Sequence, residues 1–394
     1  MSEQRAERAE RAVPRVERGR LTGGQELLDS APAPSVAERP GLTAAASAAL
    51  ALLIALVAGD LLILAFGQAP GEVWRMMLTG TWGNAYGFGQ VLYKATTLVF
   101  TGLAVSLGLR AGLFNIGAEG QLAAGGFAAA VVGLMLPAGF PVLLAVPLCL
   151  LAAAAGGGAV GAVPGVLKAR FGAHEVIVTI MLNFVVLALL NWVVAARLHV
   201  PETLHTPASR AGAVPRLSAF VQAFHGSAAN VTLLLALAAA ALVGWYLFRT
   251  RRGYELRAVG LQPDAAEYGG VSVPSVWLRT LALSGAIAGL GGVNYVLGYK
   301  QYYEDGFAGG AGFLGIAVAL VGRNHPFGVV LASLFFATLS QGGLAIHALV
   351  PKQMVEVLQG IVILAVAASV PEVQRLVMQG RGKREEGRGA LVDG

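Results

Sequence analysis

The chain has 394 residues, of which 56% are apolar and only 13% charged, and its mean hydropathy is +0.67. A soluble domain carries roughly 25% charged residues because its surface faces water, so a string of soluble domains is excluded in favour of one all-α unit embedded in a bilayer. A single cysteine, Cys149, excludes an internal disulfide, a multi-cysteine zinc site and a Cys-x-x-C redox pair; the net charge of +6 comes from Lys and Arg set between apolar runs, a pattern that sets membrane topology rather than one that binds nucleic acid.

Residues 1–40 mix Arg and Glu with Pro, Ser and Gly and lack sustained periodicity, which predicts a disordered tail. The first apolar run begins near Leu42, too far from the start for a signal peptide. A helical span needs about 20 mostly apolar residues to cross roughly 30 Å of hydrocarbon. Leu42–Leu64 meets that requirement and is interrupted only by Asp60, for which the sequence offers no partner. Gly67–Lys94 is mixed and holds Trp74, Trp82, Tyr86 and Tyr93, residue types that favour the membrane–water interface. Val91–Leu109 is the second span. The uncharged stretch Gly120–Leu167 would be about 70 Å long as one helix, so it is two spans with a turn at Pro137 and Pro141. Val176–Ala196 and Ala228–Phe248 flank a polar loop with Arg197, Glu202 and Arg210. Thr280–Tyr299, Gly309–Gly322, Phe327–Leu349 and Met354–Val370 bring the expected count to about ten. Residues 41–372 are therefore the membrane domain, and 373–394 a second polar tail.

Orientation follows from the basic clusters. Arg249, Arg251, Arg252 and Arg257 form one, Lys168 and Arg170 another, and Arg375, Arg381, Lys383, Arg384 and Arg388 a third. Placing all three in the cytoplasm satisfies the positive-inside rule. Ten spans then put both termini there, with Arg110 and Arg323 on the same side. Gly157, Gly161 and Gly165 recur every fourth residue, as do Gly285 and Gly289. Small residues at that spacing let helix backbones approach closely in lipid, although a chain with 53 glycines also produces such spacing incidentally.

Enzymatic motifs are absent. Gly382-Lys383 is followed by Arg384 and makes no P-loop, and Val178 stands where a zincin helix after His174-Glu175 needs its second His. Ser284-Gly285 lacks the glycine of a membrane serine protease, since Ala282 occupies its place. No catalytic residue, metal site or cofactor is predicted. Polar residues in apolar surroundings remain. Asn115, Glu119 and Gln121 share a glycine-containing segment, and Asn183 and Asn191 lie on one face of the fifth span. A mid-membrane charge costs roughly 2.5–3.5 kcal/mol on insertion scales and needs a partner or a wet cavity. Asn115, Glu119, Gln121 and Asn183 are thus candidates for a translocation pathway; a structural hinge with interhelical hydrogen bonds is the alternative. In the loop Arg252–Gly270, Pro263 suits a first helical position, Asp264 and Glu267 favour the positive end of a helix dipole, and Gly269 or Gly270 can stop the helix. A helix of under two turns is expected there, with Arg257 before it.

The segment Gly112-Leu-Phe-Asn-Ile-Gly-Ala-Glu-Gly-Gln-Leu122 resembles the signature of permease subunits of bacterial ATP-binding-cassette (ABC) importers for simple sugars and nucleosides. His174-Glu-Val-Ile-Val-Thr-Ile-Met-Leu-Asn183 is similar to a second signature of the nucleoside-type branch. Arg257-Ala-Val-Gly-Leu-Gln-Pro-Asp-Ala-Ala266 resembles the loop that docks on the cassette, although Gln262 stands where Asn is usual. The resemblance, from about residue 70 to 370, implies a multi-pass protein of the bacterial inner membrane. Its partners would be a second permease subunit, two cassette ATPases and an extracytoplasmic binding protein. It also implies a cytoplasmic coupling helix, with Arg257, Gly260, Pro263, Asp264, Ala265, Ala266 and Glu267 as the contact set. The substrate would be a nucleoside or a simple sugar. An ion-coupled secondary transporter is the alternative from another class, but it would want grouped intramembrane carboxylates, and Asp60 and Glu119 are isolated in sequence. An intramembrane enzyme comes third.

Overall fold

A computed structural model of the chain describes residues 53, 54, 56–351 and 353–365. The predicted tails 1–40 and 373–394, and the first part of Leu42–Leu64, lie outside the described residues. The described chain is helical, with two isolated bridges, His205 with Glu304 and Arg216 with Asn230, as its extended pairing. In chain order the helices are α1 (Leu56–Ala65), α2 (Pro70–Thr81), α3 (Ala85–Arg110), α4 (Ala118–Met135), α5 (Val142–Phe171) and α6 (Glu175–Val193, continued by a π-helical turn Val194–Leu198). After a long loop come α7 (Thr232–Arg249), α8 (Arg251–Leu261), α9 (Pro263–Tyr268), α10 (Val273–Val296), α11 (Ala311–Val321), α12 (Pro326–Ala345) and α13 (Gln353–Ala365).

Seven of these, α3–α7, α10 and α12, are long and apolar enough to cross a membrane. The pair α1 and α2 makes an eighth if counted as one span bent by 112°. The turn between α4 and α5 falls between Pro137 and Pro141 as expected. The expected ten full spans are not reached among the described residues. Gly309–Gly322 forms only the 11-residue α11, because Gly306, Gly309 and Gly310 take positive φ and unwind the chain before it. The mixed stretch after Leu64 is also more ordered than its composition implies. Asp60 accepts a hydrogen bond from Trp74 Nε1 at 2.7 Å, which ties α1 to α2 across the bend and gives the isolated carboxylate its partner.

The helices have two distinguishable ends. At one, Arg110 Nε donates to the Asn324 carbonyl oxygen at 3.0 Å, Lys168 lies 4.8 Å from the Trp277 ring centroid, and Arg279 is 3.8 Å from Glu255. This is the basic end. At the other, Gly133, Ser209 and Ala211 meet, Thr206 N–H donates to Tyr303 O at 2.8 Å, and Val214 N–H to Leu297 O at 3.0 Å.

The tightest packing joins α4, α5 and α10. A Cβ at Gly157 would overlap the Gly285 carbonyl oxygen, one at Gly161 that of Leu281, and one at Gly289 that of Ala153. Gly125 and Gly126 of α4 meet Gly289 and Gly292 of α10 in the same way. The four-residue glycine spacing therefore lies in one backbone-to-backbone contact, where dispersion and small side chains hold helices that gain nothing from expelling water. Overpacking such a contact costs typically 1–3 kcal/mol. Gly157→Leu should lower the melting temperature of the detergent-purified protein and its yield in the membrane. Gly71→Ala, at an open helical position, should change neither.

Candidate translocation site and coupling surface

The segment 111–117 interrupts the membrane domain between α3 and α4, and its polar groups are satisfied from inside the protein. Asn115 Nδ2 donates to Gln121 Oε1 at 2.9 Å and to Ser284 Oγ at 2.7 Å, while Gln121 Nε2 returns a bond to Asn115 Oδ1 at 3.1 Å. Ser284 Oγ donates onward to the Ala104 carbonyl oxygen at 2.6 Å. Asn183 Oδ1 accepts from Gly120 N–H at 2.9 Å, and its Nδ2 donates to Ile116 O at 2.9 Å. Thr179 Oγ1 accepts from Ile116 N–H at 3.3 Å. Asn115, Gln121, Asn183, Thr179 and Ser284 are all buried. Asn191 is different: its Oδ1 is buried and has no hydrogen-bond partner among the described residues.

Glu119 performs the corresponding service for a second break. Its Oε1 accepts from Gly310 N–H at 2.8 Å and its Oε2 from Gly312 N–H at 2.6 Å. A carboxylate thus sits at the positive end of α11, where orphan N–H groups and the helix dipole both favour it. Hydrogen bonds to a charged group contribute about 1.5–3 kcal/mol each, enough for two of them to offset the roughly 2.5–3.5 kcal/mol cost of a membrane-embedded carboxylate. α11 accompanies only part of α3: Thr101 Oγ1 donates to Ala311 O at 3.1 Å near its start, and Arg110 reaches Asn324 just past its end. Those α3 residues are ~13 Å apart along a helix axis, so α11 is a half-length helix that begins inside the bundle.

Above the start of α11 the bundle opens. A cavity of about 710 Å³ is walled by α3, α4, α10, the 307–311 segment, α12 and α13. One side is aromatic, with Tyr93, Tyr295 and Phe307; the Tyr295 and Phe307 ring centroids are 5.0 Å apart. The α12–α13 side carries Ser340, Glu356 and Gln359, and α3 adds Lys94 and Thr97. Lys94 Nζ donates to Ser340 Oγ at 3.3 Å. The loop that supplies Phe307 is pinned to α10 by a hydrogen bond from the Tyr295 hydroxyl to the Glu304 carboxylate. In that loop Tyr303 is buried against Phe127 and Phe307, and burial raises its phenol above the ordinary tyrosine range. Asn115, Glu119, Gln121 and Asn183 lie outside this wall. Lys94 and Glu356 went unnoticed in the sequence, although each is a charge within or beside an apolar run.

At the basic end the loop after α7 contains two helices rather than one. Thr250 caps α8 by accepting from Gly253 N–H at 3.0 Å. Pro263 opens the six-residue α9, and Gly270 with φ +83 ends it. Gln262 makes no side-chain cap, in keeping with its being a poorer N-cap than Asn. Pro263, Asp264, Ala265 and Glu267 are exposed, whereas Ala266 is buried against the protein's own core. Gly260 packs on the Arg110 carbonyl, and the Arg257 guanidinium lies over the Phe248 ring. The most exposed apolar projections of α8 and α9 are Leu261 and Tyr268, 86% and 98% exposed.

The sequence profile of the family described as branched-chain amino acid transport system / permease component matches residues 87–367. The chain belongs to that family. The permease is 38% identical over 327 residues to the guanosine ABC transporter permease NupP of Bacillus subtilis, an overlap covering 81% of this chain and 92% of that one. It is 33% identical to the nucleoside ABC transporter permease NupB of Lactococcus lactis, over 81% of this chain and 89% of that one. It is also 34% identical to a glucose ABC transporter permease of Haloferax volcanii, over 84% and 89%. The protein is accordingly the membrane-spanning permease subunit of an ABC importer, multi-pass in the inner membrane. It is a transport subunit and not itself an enzyme; ATP hydrolysis belongs to a separate subunit. ATPase and substrate-binding partners go with such permeases.

Removing one member of the Asn115 network strands the others. Asn115→Ala leaves Gln121 short of a buried partner, which costs about 1–3 kcal/mol. The variant should melt well below the parent in detergent. Thr79→Ala, which removes an exposed hydroxyl, should not.

Proposed function

We propose that this permease imports nucleosides. What supports the reading is the cavity, whose aromatic side suits a planar base and whose hydroxyl, amide and charged side suits a ribose. Its volume of about 710 Å³ lies in the range of small-molecule sites. The 38% identity to a guanosine permease, over 81% of this chain and 92% of that one, agrees with it. Asn115, Glu119, Gln121 and Asn183 support the pathway from behind, by holding the two backbone breaks that shape the cavity. The basic end faces the cytoplasm, as the positive-inside rule requires, and both termini lie there. A second permease subunit, two cassette ATPases and an extracytoplasmic binding protein complete the importer.

Coupling runs through α9. Asp264, Ala265 and Glu267 present the face that enters the cassette, with Leu261 and Tyr268 as its apolar anchors. Ala266, Gly260 and Arg257 act from the other side, seating the segment on α3 and α7.

Two outcomes are expected. In vesicles holding the complete importer, ATP-driven uptake of labelled guanosine should be competed by unlabelled nucleosides and left unchanged by glucose or ribose. Competition by hexoses alone would transfer the substrate to simple sugars, and uptake that needs an ion gradient but no ATPase would remove the importer reading. Separately, the double variant Leu261→Asp, Tyr268→Asp should reduce co-purification of the ATPase subunits at least tenfold, about 1.4 kcal/mol. The melting temperature of the isolated permease should stay the same, because both side chains are in water.

A further inference from the structure

At the basic end, α3, α7, α8 and the turn before α12 converge on one ring, Phe248. The guanidinium carbons of Arg110 and Arg257 lie 5.6 and 5.5 Å from its centroid, and His325 stacks on it with centroids 5.5 Å apart. Arg110 commits only Nε, to the Asn324 carbonyl oxygen. Arg257 Nε is buried and has no hydrogen-bond partner among the described residues, and the same holds for Asn324 Oδ1. Two carboxylates at this end are engaged elsewhere, Glu175 with Lys168 and Glu255 with Arg251 and Arg279. No ion pair with a carboxylate is formed by Arg110 or Arg257 among the described residues. Two half-buried guanidiniums with free donors around one ring call for an anion, and the planar fork of arginine suits phosphate.

The surroundings say which anion. From Phe248 toward the hydrocarbon, α7 exposes Trp245 and Leu242, and α12 exposes Phe327 and Leu331. Gly244 lies against Pro326, so α7 and α12 touch at this level and both carry exposed apolar side chains beside the arginines. A tryptophan at this level is typical of the membrane interface. A soluble subunit reaches the aqueous rim of the cluster but not apolar side chains one to two turns further toward the hydrocarbon. An acyl chain reaches them directly.

We propose that Arg110 and Arg257 bind the headgroup phosphate of an anionic phospholipid in the leaflet at the basic end, with its acyl chains against the exposed apolar side chains of α7 and α12. The lipid would neutralise the paired cations and fasten α8 to the ends of α3 and α7. Nothing in this depends on the transported substrate.

The test uses the permease with its ATPase subunits, extracted from vesicles of phosphatidylcholine containing a minority of phosphatidylglycerol. Retained lipid is identified by native mass spectrometry. The parent complex should keep phosphatidylglycerol in preference to phosphatidylcholine. Arg110→Gln and Arg257→Gln should each lower that retention about fivefold, the scale of one interfacial cation, and the double variant should abolish it. Arg257→Lys should restore most of it, and Arg170→Gln, an exposed charge at the same end, should change nothing. Equal retention by parent and double variant, or no preference for the anionic lipid, would overturn the proposal. So would displacement of the lipid by inorganic phosphate at low concentration, which would make this a simple anion site. Lipid binding that emerges only after the ATPase is stripped away would assign the arginines to a carboxylate of that subunit instead.

Discussion

A backbone that leaves the helical path inside a bilayer must find every lost hydrogen bond within the protein, since hydrocarbon offers none. Among the described residues, and besides the bend between α1 and α2, the permease leaves that path at 111–117 and at 306–310, and these two breaks are repaired together. Asn115, Gln121 and Ser284 close the first from within, with Asn183 and Thr179 reaching across from α6. Glu119, the second residue of the helix that follows the first break, then caps the helix that follows the second. Because α11 starts inside the bundle rather than at its surface, the space a full-length helix would fill is left to the cavity.

Around that cavity the bundle divides by side-chain size. On the α4–α5–α10 side, glycines bring backbones together so closely that added methyl groups would overlap carbonyl oxygens. Cores packed to that density resist gradual deformation. On the α12–α13 side the contact is made through longer side chains, as where Val355 meets Gly343, and polar groups line the opening. A firm wall and a more adaptable one enclose the same space.

Much of this was legible from residue runs. The uncharged stretch from Gly120 to Leu167 is too long for one crossing, and Pro137 and Pro141 mark where it turns. Pro263 and the glycine pair 269–270 bound α9 because each acts on the backbone locally. What escaped depends on contacts between distant residues. The 112° bend between α1 and α2 and the Asp60–Trp74 bond that secures it leave no periodic trace. α8 was missed because its exposed charged face reads as loop. Lys94 was grouped with an interfacial aromatic stretch, since hydropathy cannot tell a charge at the membrane edge from one facing a cavity. Asn115, Glu119, Gln121 and Asn183 were singled out for being polar in apolar surroundings. That signal is shared by residues that touch a passing solute and residues that repair a backbone, and only their hydrogen-bond partners distinguish the two.

α3 has a further property that follows from its neighbours. Its last turn carries Gly260 of α8 against the Arg110 carbonyl, its middle is held at Thr101 and Gly102 by Gly315 and Val318 of α11, and nearer its start it offers Tyr93, Lys94 and Thr97 to the cavity. In this rod of 26 residues the contact with α11 lies about as far from Arg110 as from Tyr93. Any tilt of α3 about that contact would carry its two ends in opposite directions by similar amounts.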